Sequence, residues 1–287
     1  MSTRIADDIL KSLDLTGKQF LVLGFTGAIG PEVCVNLGGL GATVHGTTIP
    51  PHADQIPSIR KRFEGLPGKF GDSHYLDATD RAALPGAVEA IKGSLGGKPL
   101  DGCIVVIGGN TKTIGTTQTY QDYPDASMDL MMELNFAGPE RALRAVMPLM
   151  KAAAAPKIIW ILTVSYHGVG KSCGYRCGKA AARDLVEFLS AELPSEWNPG
   201  ARVYGVEPGF LDSEQNRANL SPEKSPGKLD AILSHIPTHR LQNADDVGRA
   251  IALLCTDAGS IMGNGIIPLN EGFGKMGLGD WINKNRK

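Results

Sequence analysis

The segment that decides the fold is Phe20-Leu21-Val22-Leu23-Gly24-Phe25-Thr26-Gly27-Ala28-Ile29-Gly30-Pro31. Its apolar start predicts a buried strand, its glycines predict a tight turn, and Pro31 suits the first turn of a helix. A strand that turns into a helix in this way aims backbone N–H groups and the positive end of the helix dipole at one point. Such a point favours a pyrophosphate, so we expect a dinucleotide cofactor to contact Gly24, Thr26, Gly27, Ala28, Ile29 and Gly30.

Short apolar runs alternate with helical patterns along the rest of the chain. The runs cover residues 20–23, 43–45, 103–107, 158–163, 203–206 and 266–269, and the helical patterns cover residues 31–40, 81–91, 127–153, 175–193 and 244–255. Strands that alternate with helices form parallel sheets through right-handed crossovers. The runs are apolar on both faces, as expected when helices cover both sides. The sequence therefore predicts an α/β fold, a doubly wound parallel sheet of the Rossmann type in a single domain over residues 1–287.

Composition narrows the range of partners. The 287 residues are 42% hydrophobic with a formal net charge of −1, so no long-range attraction to nucleic acid or an anionic membrane is expected. No apolar run reaches the roughly 20 residues that span a bilayer, and residues 1–15 lack the apolar stretch of a secretion signal. We expect a cytoplasmic protein that acts on a small molecule. The five cysteines form no Cys-x-x-Cys pair and have no further ligands nearby, so no metal site is expected.

The end of the second strand bears on the choice between NAD and NADP. An acidic residue there would bind the ribose hydroxyls and favour NAD, and a nearby arginine would accept the extra phosphate of NADP. The sequence has neither at this point; it has Thr47 and Thr48, whose hydroxyls can bond either group. Both cofactors stay open, with a slight preference for NADP because no carboxylate would repel its phosphate.

A tyrosine and a lysine begin the helical pattern at residues 175–193. Helical spacing puts Tyr175 and Lys179 on one face, one turn apart. A free tyrosine has a pKa near 10, too high for base chemistry at neutral pH, but a nearby ammonium and an oxidised nicotinamide would lower that pKa. The pair is therefore a candidate for proton transfer. The alternative is that both side chains are merely exposed on the helix.

Two polar residues upstream join this candidate site. Ser165 follows the apolar run at 158–163, where its hydroxyl could donate to a substrate carbonyl as charge develops. Asn135 lies between apolar residues in a helical pattern, which is a costly place unless its amide is hydrogen-bonded. Asn135 could hold a water molecule that passes protons to Lys179.

Together these residues resemble the short-chain dehydrogenase/reductase superfamily over nearly the full chain. The matches run in order through Asp77-Ala78, Gly108-Gly109, Asn135, Ser165, Tyr175, Lys179 and Pro208-Gly209-Phe210. The resemblance implies that Asp77 meets the adenine amine, that Pro208-Gly209 abuts the nicotinamide, and that the catalytic residues are Asn135, Ser165, Tyr175 and Lys179. It also implies a homodimer or homotetramer that assembles through the helices carrying Asn135 and Tyr175.

The sequence departs from the superfamily pattern at two places. Ala28 stands where the usual turn has its middle glycine. The segment from Ser165 to Tyr175 is a few residues short, which leaves Thr163 as an alternative for the serine role. Ser165 is preferred because residues 165–168, Ser-Tyr-His-Gly, match the usual Ser-x-x-Gly.

The least regular stretch, at about residues 210–240, is expected to be a substrate-covering loop with short helices. Residues 108–110, 208–217 and 235–240 are similar to fructuronate (mannonate) oxidoreductase-like members, which implies a polyhydroxylated keto acid as substrate. Arg217 would pair with its carboxylate. Its hydroxyls would be bound by Asn110, Gln215 and Asn216. The alternative is that Asn216 and Arg217 only brace the loop, and Arg240 is expected to brace it against the closing helix.

The expected activity is hydride transfer between NADP or NAD and a carbonyl or secondary alcohol. Two other classes of function stay open. An epimerase or dehydratase with tightly bound NAD would use the cofactor without net consumption. A nucleotide-sensing module would bind the cofactor without turnover, although a sensor has no need of a proton-transfer set.

Overall fold

A computed structural model describes residues 2–110, 119–164 and 172–273, without the side chains of residues 2–4 and 215. Within these residues, seven parallel strands form one sheet in the order β3-β2-β1-β4-β5-β6-β7. The strands are β1 Gln19–Leu23, β2 Thr43–Thr48, β3 Lys69–Tyr75, β4 Gly102–Val105, β5 Lys157–Ile161, β6 Arg202–Pro208 and β7 Gly265–Leu269. The order reverses between β1 and β4, where a doubly wound sheet binds its ligand. The predicted fold class is confirmed.

Helices pack on both sides of this sheet. They are α1 Ser2–Ser12, α2 Gly30–Gly39, α3 Ile56–Lys61, α4 Leu84–Ser94, α5 Asp125–Met132, α6 Gly138–Val146, α7 Cys173–Glu192, α8 Glu214–Asn219, α9 Lys228–Ser234, α10 Ala244–Cys255 and α11 Asp257–Ser260. The helical run predicted over residues 127–153 is found without a break from α5 through a π-helical turn, Glu133–Ala137, and α6 to a 3-10 turn, Met147–Met150. In the described part of the chain, no helix has the length and hydropathy of a bilayer span.

The sheet separates two hydrophobic clusters. Because side chains alternate along a strand, Leu21 and Leu23 of β1 pack into one cluster while Phe20 and Val22 pack into the other. Residues of α4, α6 and α7 complete the first cluster, and residues of α2, α3 and α10 complete the second. This double coverage explains the strands that are apolar on both faces.

The sequence pattern did not predict β3 or α1. β3 has the sequence KFGDSHY and lies at the edge of the sheet, where its residues are exposed or half-buried, and it contains no apolar run. α1 keeps Ile5, Ile9 and Leu10 exposed and adds none of them to either cluster.

The covering segment, residues 210–240, contains two short helices, α8 and α9, as predicted. Its start is tied to residue 242: the N–H of Gln242 donates to the carbonyl of Phe210 at 2.7 Å. At its end, Arg240 pairs with Asp246 of α10 at 3.5 Å and with Glu271 at 2.7 Å. The prediction that Arg240 braces this segment against the closing helix is confirmed.

Candidate active site

The glycine-rich turn joins β1 to α2 at the carboxyl edge of the sheet. Gly24 and Gly27 have φ angles of +82° and +96°, which side-chain-bearing residues rarely adopt. At Gly30 a Cβ would lie 2.4 Å from the backbone of Phe25, so only glycine fits there. Around Gly27, by contrast, the space is open. The turn therefore exposes backbone at the N-terminus of α2, as a phosphate site requires.

One donor of this turn is already in use. The N–H of Gly27 donates to Oε1 of Gln55 at 2.9 Å. Ala28 is exposed in the same turn, and Ile29 is buried. No sequence signal marks Gln55, because it lies in a 3-10 turn after β2 that has no glycine or acidic fingerprint.

The two threonines at the end of β2 differ in their surroundings. Thr47 is fully buried, and its hydroxyl accepts from the N–H of Gly24 at 3.1 Å. The hydroxyl of Thr48 lies 2.9 Å from the hydroxyl of Thr26. The structure thus brings Thr26 and Thr48 together beside the turn and places the Thr47 side chain behind it.

Asp77 lies in a short turn after β3. Its Oδ1 accepts from the N–H and the hydroxyl of Thr79 at 2.9 and 2.7 Å, and the residue is exposed. Ala78 is buried with its carbonyl against Gly138, where a Cβ would lie 2.9 Å from that oxygen. This close approach fixes the Asp77 turn against the helical run that contains Asn135.

Asn135 is fully buried within the π-helical turn. Its Oδ1 accepts from the N–H of Gly109 at 2.8 Å, and its Nδ2 donates to the carbonyls of Gly109 and Met131 at 3.0 and 3.1 Å. The amide of this mid-helix asparagine is therefore satisfied, chiefly by the loop after β4.

Gly108 lies between Asn135 and Lys179. A Cβ on Gly108 would be 2.9 Å from Oδ1 of Asn135 and 2.9 Å from Nζ of Lys179. Because glycine has no side chain, these two polar atoms can face the same small space. Both polar atoms thus approach the backbone of Gly108 in the loop after β4.

Lys179 is buried on α7 and contacts the end of β5. Its Nζ donates to the carbonyl of Ile161, the last residue of that strand, at 2.8 Å. Burial lowers the pKa of the Lys179 ammonium to about 8. The helix approaches Asn135 closely because Gly178 leaves room, since a Cβ there would be 2.9 Å from Cβ of Asn135.

Tyr175 lies one turn before Lys179 and contacts the same strand end. Its phenol is hydrogen-bonded to the side chain of Thr163, a buried residue two positions after Ile161. Burial raises the pKa of Tyr175, and the bond from Thr163 opposes that rise. Ser165 lies outside the described residues. The structure therefore brings Asn135, Tyr175 and Lys179 together, and the hydroxyl it places at the phenol is that of Thr163.

β6 ends at Pro208, and the next residue is held by two bonds. The N–H of Gly209 donates to the carbonyl of Leu269 at 3.0 Å and to Oε1 of Gln242 at 2.8 Å. No sequence motif marks Gln242. It reaches Gly209 only because the chain folds back to this corner after residues 210–240. The corner at Pro208-Gly209 is thereby fixed beside β7, and Phe210 leads into the covering segment.

Two of the predicted substrate contacts are engaged within the covering segment. Arg217 forms a two-point ion pair with Asp212 at 2.5 and 2.9 Å. Asn216 donates to the carbonyl of Leu211 at 2.8 Å. These contacts match the bracing alternative. Asn110 is exposed, and the side chain of Gln215 lies outside the described residues.

A family model supplies the classification of this chain. The model described as enoyl-(acyl carrier protein) reductase, one of the short-chain dehydrogenase models, matches residues 24–274. The chain belongs to this short-chain dehydrogenase/reductase family. Its class is that of NAD(P)-dependent oxidoreductases, as expected from the motifs.

Known relatives of this short-chain dehydrogenase/reductase act on different substrates. The 3-oxoacyl-(acyl-carrier-protein) reductase of Escherichia coli K12 is 28% identical over 262 residues, 91% of this chain and 99% of the relative. The 2-dehydro-3-deoxy-D-gluconate 5-dehydrogenase of Pseudoalteromonas atlantica is 26% identical over 267 residues, 92% of this chain and 99% of the relative.

Among solved structures, L-sorbose reductase from Gluconobacter frateurii, complexed with NADPH and L-sorbose, aligns with a TM-score of 0.79. The alignment covers 92% of this chain and 99% of that one at 17% identity. At this identity the match shows the shared fold alone.

Proposed function

We propose that this short-chain dehydrogenase/reductase interconverts a carbonyl and a secondary alcohol, with Tyr175 as the proton donor and acceptor. The supporting observation is that Tyr175 and Lys179, one turn apart on α7, contact Thr163 and Ile161 at the end of β5. A carbonyl oxygen beside the Tyr175 phenol would lie at the carboxyl edge of the sheet, where doubly wound folds bind ligands.

The glycine-rich turn fits a nicotinamide dinucleotide. Gly27 leaves open space at the N-terminus of α2, and the hydroxyls of Thr26 and Thr48 are suited to the adenosine ribose. When bound, the nicotinamide supplies or accepts the hydride. NADP is favoured over NAD because residues 46–49, Gly-Thr-Thr-Ile, carry no carboxylate. Further cofactor contacts are proposed for Asp77, Ala78, Gly108, Gly109, Pro208, Gly209 and Phe210.

During reduction, the phenol of Tyr175 gives its proton to the carbonyl oxygen as negative charge develops there. Burial raises the pKa of Tyr175 and keeps the phenol protonated at neutral pH, while the Thr163 hydroxyl favours release of the proton by bonding to the phenolate. During oxidation the phenolate accepts the hydroxyl proton of the alcohol.

The proton is replaced through Lys179 and Asn135. The ammonium of Lys179 is fixed by Ile161, and Oδ1 of Asn135 faces the same small space beside Gly108. A water molecule in that space would pass protons between solvent and Lys179. Asn135 would thus have two roles: it holds Gly109 by hydrogen bonds, and it lines the proposed proton path.

The hydroxyl that steadies the substrate carbonyl is assigned to Thr163. A carbonyl oxygen that accepts from the Tyr175 phenol would also be near Thr163, whose single hydroxyl proton would then turn from the phenol to the carbonyl. Ser165, which the sequence match prefers, is the competing assignment, and substitution separates the two.

A polyhydroxylated keto acid is one candidate substrate class. Support comes from the sequence similarity to fructuronate oxidoreductase-like members and from the relative named 2-dehydro-3-deoxy-D-gluconate 5-dehydrogenase. Such a substrate would have to displace Asp212 from Arg217 before its carboxylate could bind.

The test of the proposed function is Tyr175→Phe assayed with NADPH and NADH over a broad carbonyl panel. Wild-type protein should consume the cofactor with at least one carbonyl. The variant should bind the cofactor equally well but turn over about 10²- to 10⁴-fold more slowly. Turnover at the wild-type rate would remove Tyr175 from the mechanism, and product formation without a change in cofactor absorbance would indicate an epimerase or dehydratase.

A further inference from the structure

A third hydrophobic cluster lies apart from the two that flank the sheet. Its members, termed the covering cluster, are Val164, Phe210, Ile232, Leu233, Ile236 and Phe273. Val164, Ile236 and Phe273 are buried, whereas the other three pack against them and remain partly exposed. The rings of Phe210 and Phe273 meet edge to face, with centroids 5.6 Å apart. The cluster fastens the covering segment to the carboxyl edge of the sheet.

Two members of the covering cluster directly follow residues of the proposed site. Val164 comes immediately after Thr163, and Phe210 comes immediately after Gly209, at the corner expected beside the nicotinamide. The cluster therefore lies near the carbonyl that Tyr175 and Thr163 would hold. The exposed parts of Phe210, Ile232 and Leu233 offer a substrate an apolar surface.

Three charged side chains of the covering segment, Asp212, Arg217 and Arg240, already form ion pairs. Arg217 and Asp212 pair with each other at the surface, with side chains 68% and 41% exposed. Arg240 pairs with Glu271 and Asp246. A carboxylate that bound Arg217 or Arg240 would have to displace Asp212, or Glu271 and Asp246, whereas an apolar group packed on the cluster leaves these pairs intact.

From these contacts we infer that the substituent beside the reacting carbonyl is apolar, an alkyl chain or a ring packed on Phe210, Ile232 and Leu233. This substrate class presupposes the oxidoreductase activity proposed for Tyr175. Each methylene buried there should raise kcat/KM roughly fourfold. A hydroxyl in the same place would lose its hydrogen bonds to water without gaining a hydrogen bond to the protein.

The first experiment measures kcat/KM with NADPH and NADH for straight-chain methyl ketones from 2-butanone to 2-octanone, and for ketoses and keto sugar acids. We expect a rise of roughly fourfold per methylene over the first additions, and lower values for ketoses and keto sugar acids of the same carbon number. A preference for ketoses or keto acids overturns the apolar assignment and leaves the oxidoreductase function standing. No cofactor consumption with any carbonyl contradicts the function itself.

The second experiment ties the preference to the covering cluster. Leu233→Gln should flatten the dependence of kcat/KM on chain length, and Ile232→Gln serves the same purpose if that variant does not fold. The control is Ile261→Gln, at a side chain 87% exposed outside the cluster, which should keep the full dependence. Circular dichroism and thermal unfolding confirm that each variant folds. Full chain-length dependence in folded Leu233→Gln and Ile232→Gln would refute contact with the cluster.

Discussion

Gly109 and Asn135 bind each other through two hydrogen bonds that run in opposite directions, at 2.8 and 3.0 Å. The pair fixes the loop after β4 against the π-helical turn. It also defines the wall of the space beside Gly108 that Lys179 faces. The position of a proposed proton path is thus set by one amide side chain and the backbone of one glycine.

The first prediction concerns Gly108→Ala. Its methyl group would lie 2.9 Å from both Oδ1 of Asn135 and Nζ of Lys179, so turnover should fall about 10²-fold. Gly109→Ala is the matched control, because Gly109 also has a positive φ, +157° against +136°, but its methyl would meet open space. Both variants are compared at saturating NADPH, since both glycines are proposed cofactor contacts. Both variants should lose stability by about 1–3 kcal/mol from the backbone. Equal losses of turnover at equal melting temperatures would contradict the proposed path.

The second prediction separates the two candidate hydroxyls. Thr163→Val keeps the shape of the side chain but removes the bond to the Tyr175 phenol, so kcat should fall about 10²- to 10³-fold. Thr163→Ser should retain most of the activity. Ser165→Ala should have little effect if Thr163 holds the carbonyl. The reverse pattern, with an active Thr163→Val and an inactive Ser165→Ala, would assign the role to Ser165.

The third prediction concerns the pH dependence of carbonyl reduction. Burial lowers the pKa of Lys179 to about 8, so kcat/KM should decline as the pH rises through about 8 and the ammonium loses its proton. Lys179→Arg keeps the charge, and its residual activity should decline only at higher pH, because the guanidinium stays protonated. An alkaline limb in the same place in Lys179→Arg would show that another group titrates there.

The fourth prediction concerns stability in acid. His45 is buried on β2, with Nε2 3.1 Å from Oε1 of Gln19 and Nδ1 accepting from the N–H of Asp72 at 3.3 Å. Burial lowers the pKa of His45, with Asp72 opposing and His74 adding to the shift. The unfolded chain therefore takes up a proton near pH 6.5, before the folded one does.

Stability should accordingly be full above about pH 6.5 and be lost as the pH falls below it. Urea unfolding at several pH values measures this slope. The slope should be smaller in His45→Gln and unchanged in His52→Gln, whose side chain is exposed. An identical slope in wild type and His45→Gln would show that other groups control the acid transition.

The fifth prediction concerns assembly. Leu130 on α5 and Phe188 on α7 are 43% and 60% exposed, on the helices through which the superfamily resemblance implies a homodimer or homotetramer. Phe188→Asp should shift the mass measured by light scattering towards one chain, because a charge would be buried in the interface. Tyr75→Asp, at a side chain 61% exposed on β3, is the control and should leave the mass unchanged. A monomeric wild-type protein would contradict the assembly.

The buried part of the fold could be predicted because its signals are local. β1 is buried throughout and apolar from Phe20 to Leu23, as double coverage requires, and the backbone at Gly24, Gly27 and Gly30 favours glycine through positive φ or close packing. β3 could not be predicted from apolar runs, since an edge strand with Gly, Asp, Ser and His has none. The π-helical turn at Asn135 was not predicted either, and the hydrogen bonds of Asn135 to Gly109 join residues far apart in sequence.

The candidate site could be predicted in its residue types but not in their pairings. The spacing of Tyr175 and Lys179 placed both on one face of α7. The choice between Thr163 and Ser165 depends on the path of the backbone after β5. The local sequence pattern does not predict that path. The burial of Thr47 behind Gly24 likewise follows from three-dimensional packing.

The bond between Gly27 and Gln55 would make binding of a nucleotide at the proposed site an exchange of hydrogen-bond partners. A pyrophosphate would displace the neutral amide from the Gly27 N–H, because a charged acceptor forms the stronger bond. The released Gln55 would then bond water or ribose. Binding of the nucleotide would thereby be coupled to the 3-10 turn after β2, and part of the binding free energy would go into rearranging that turn.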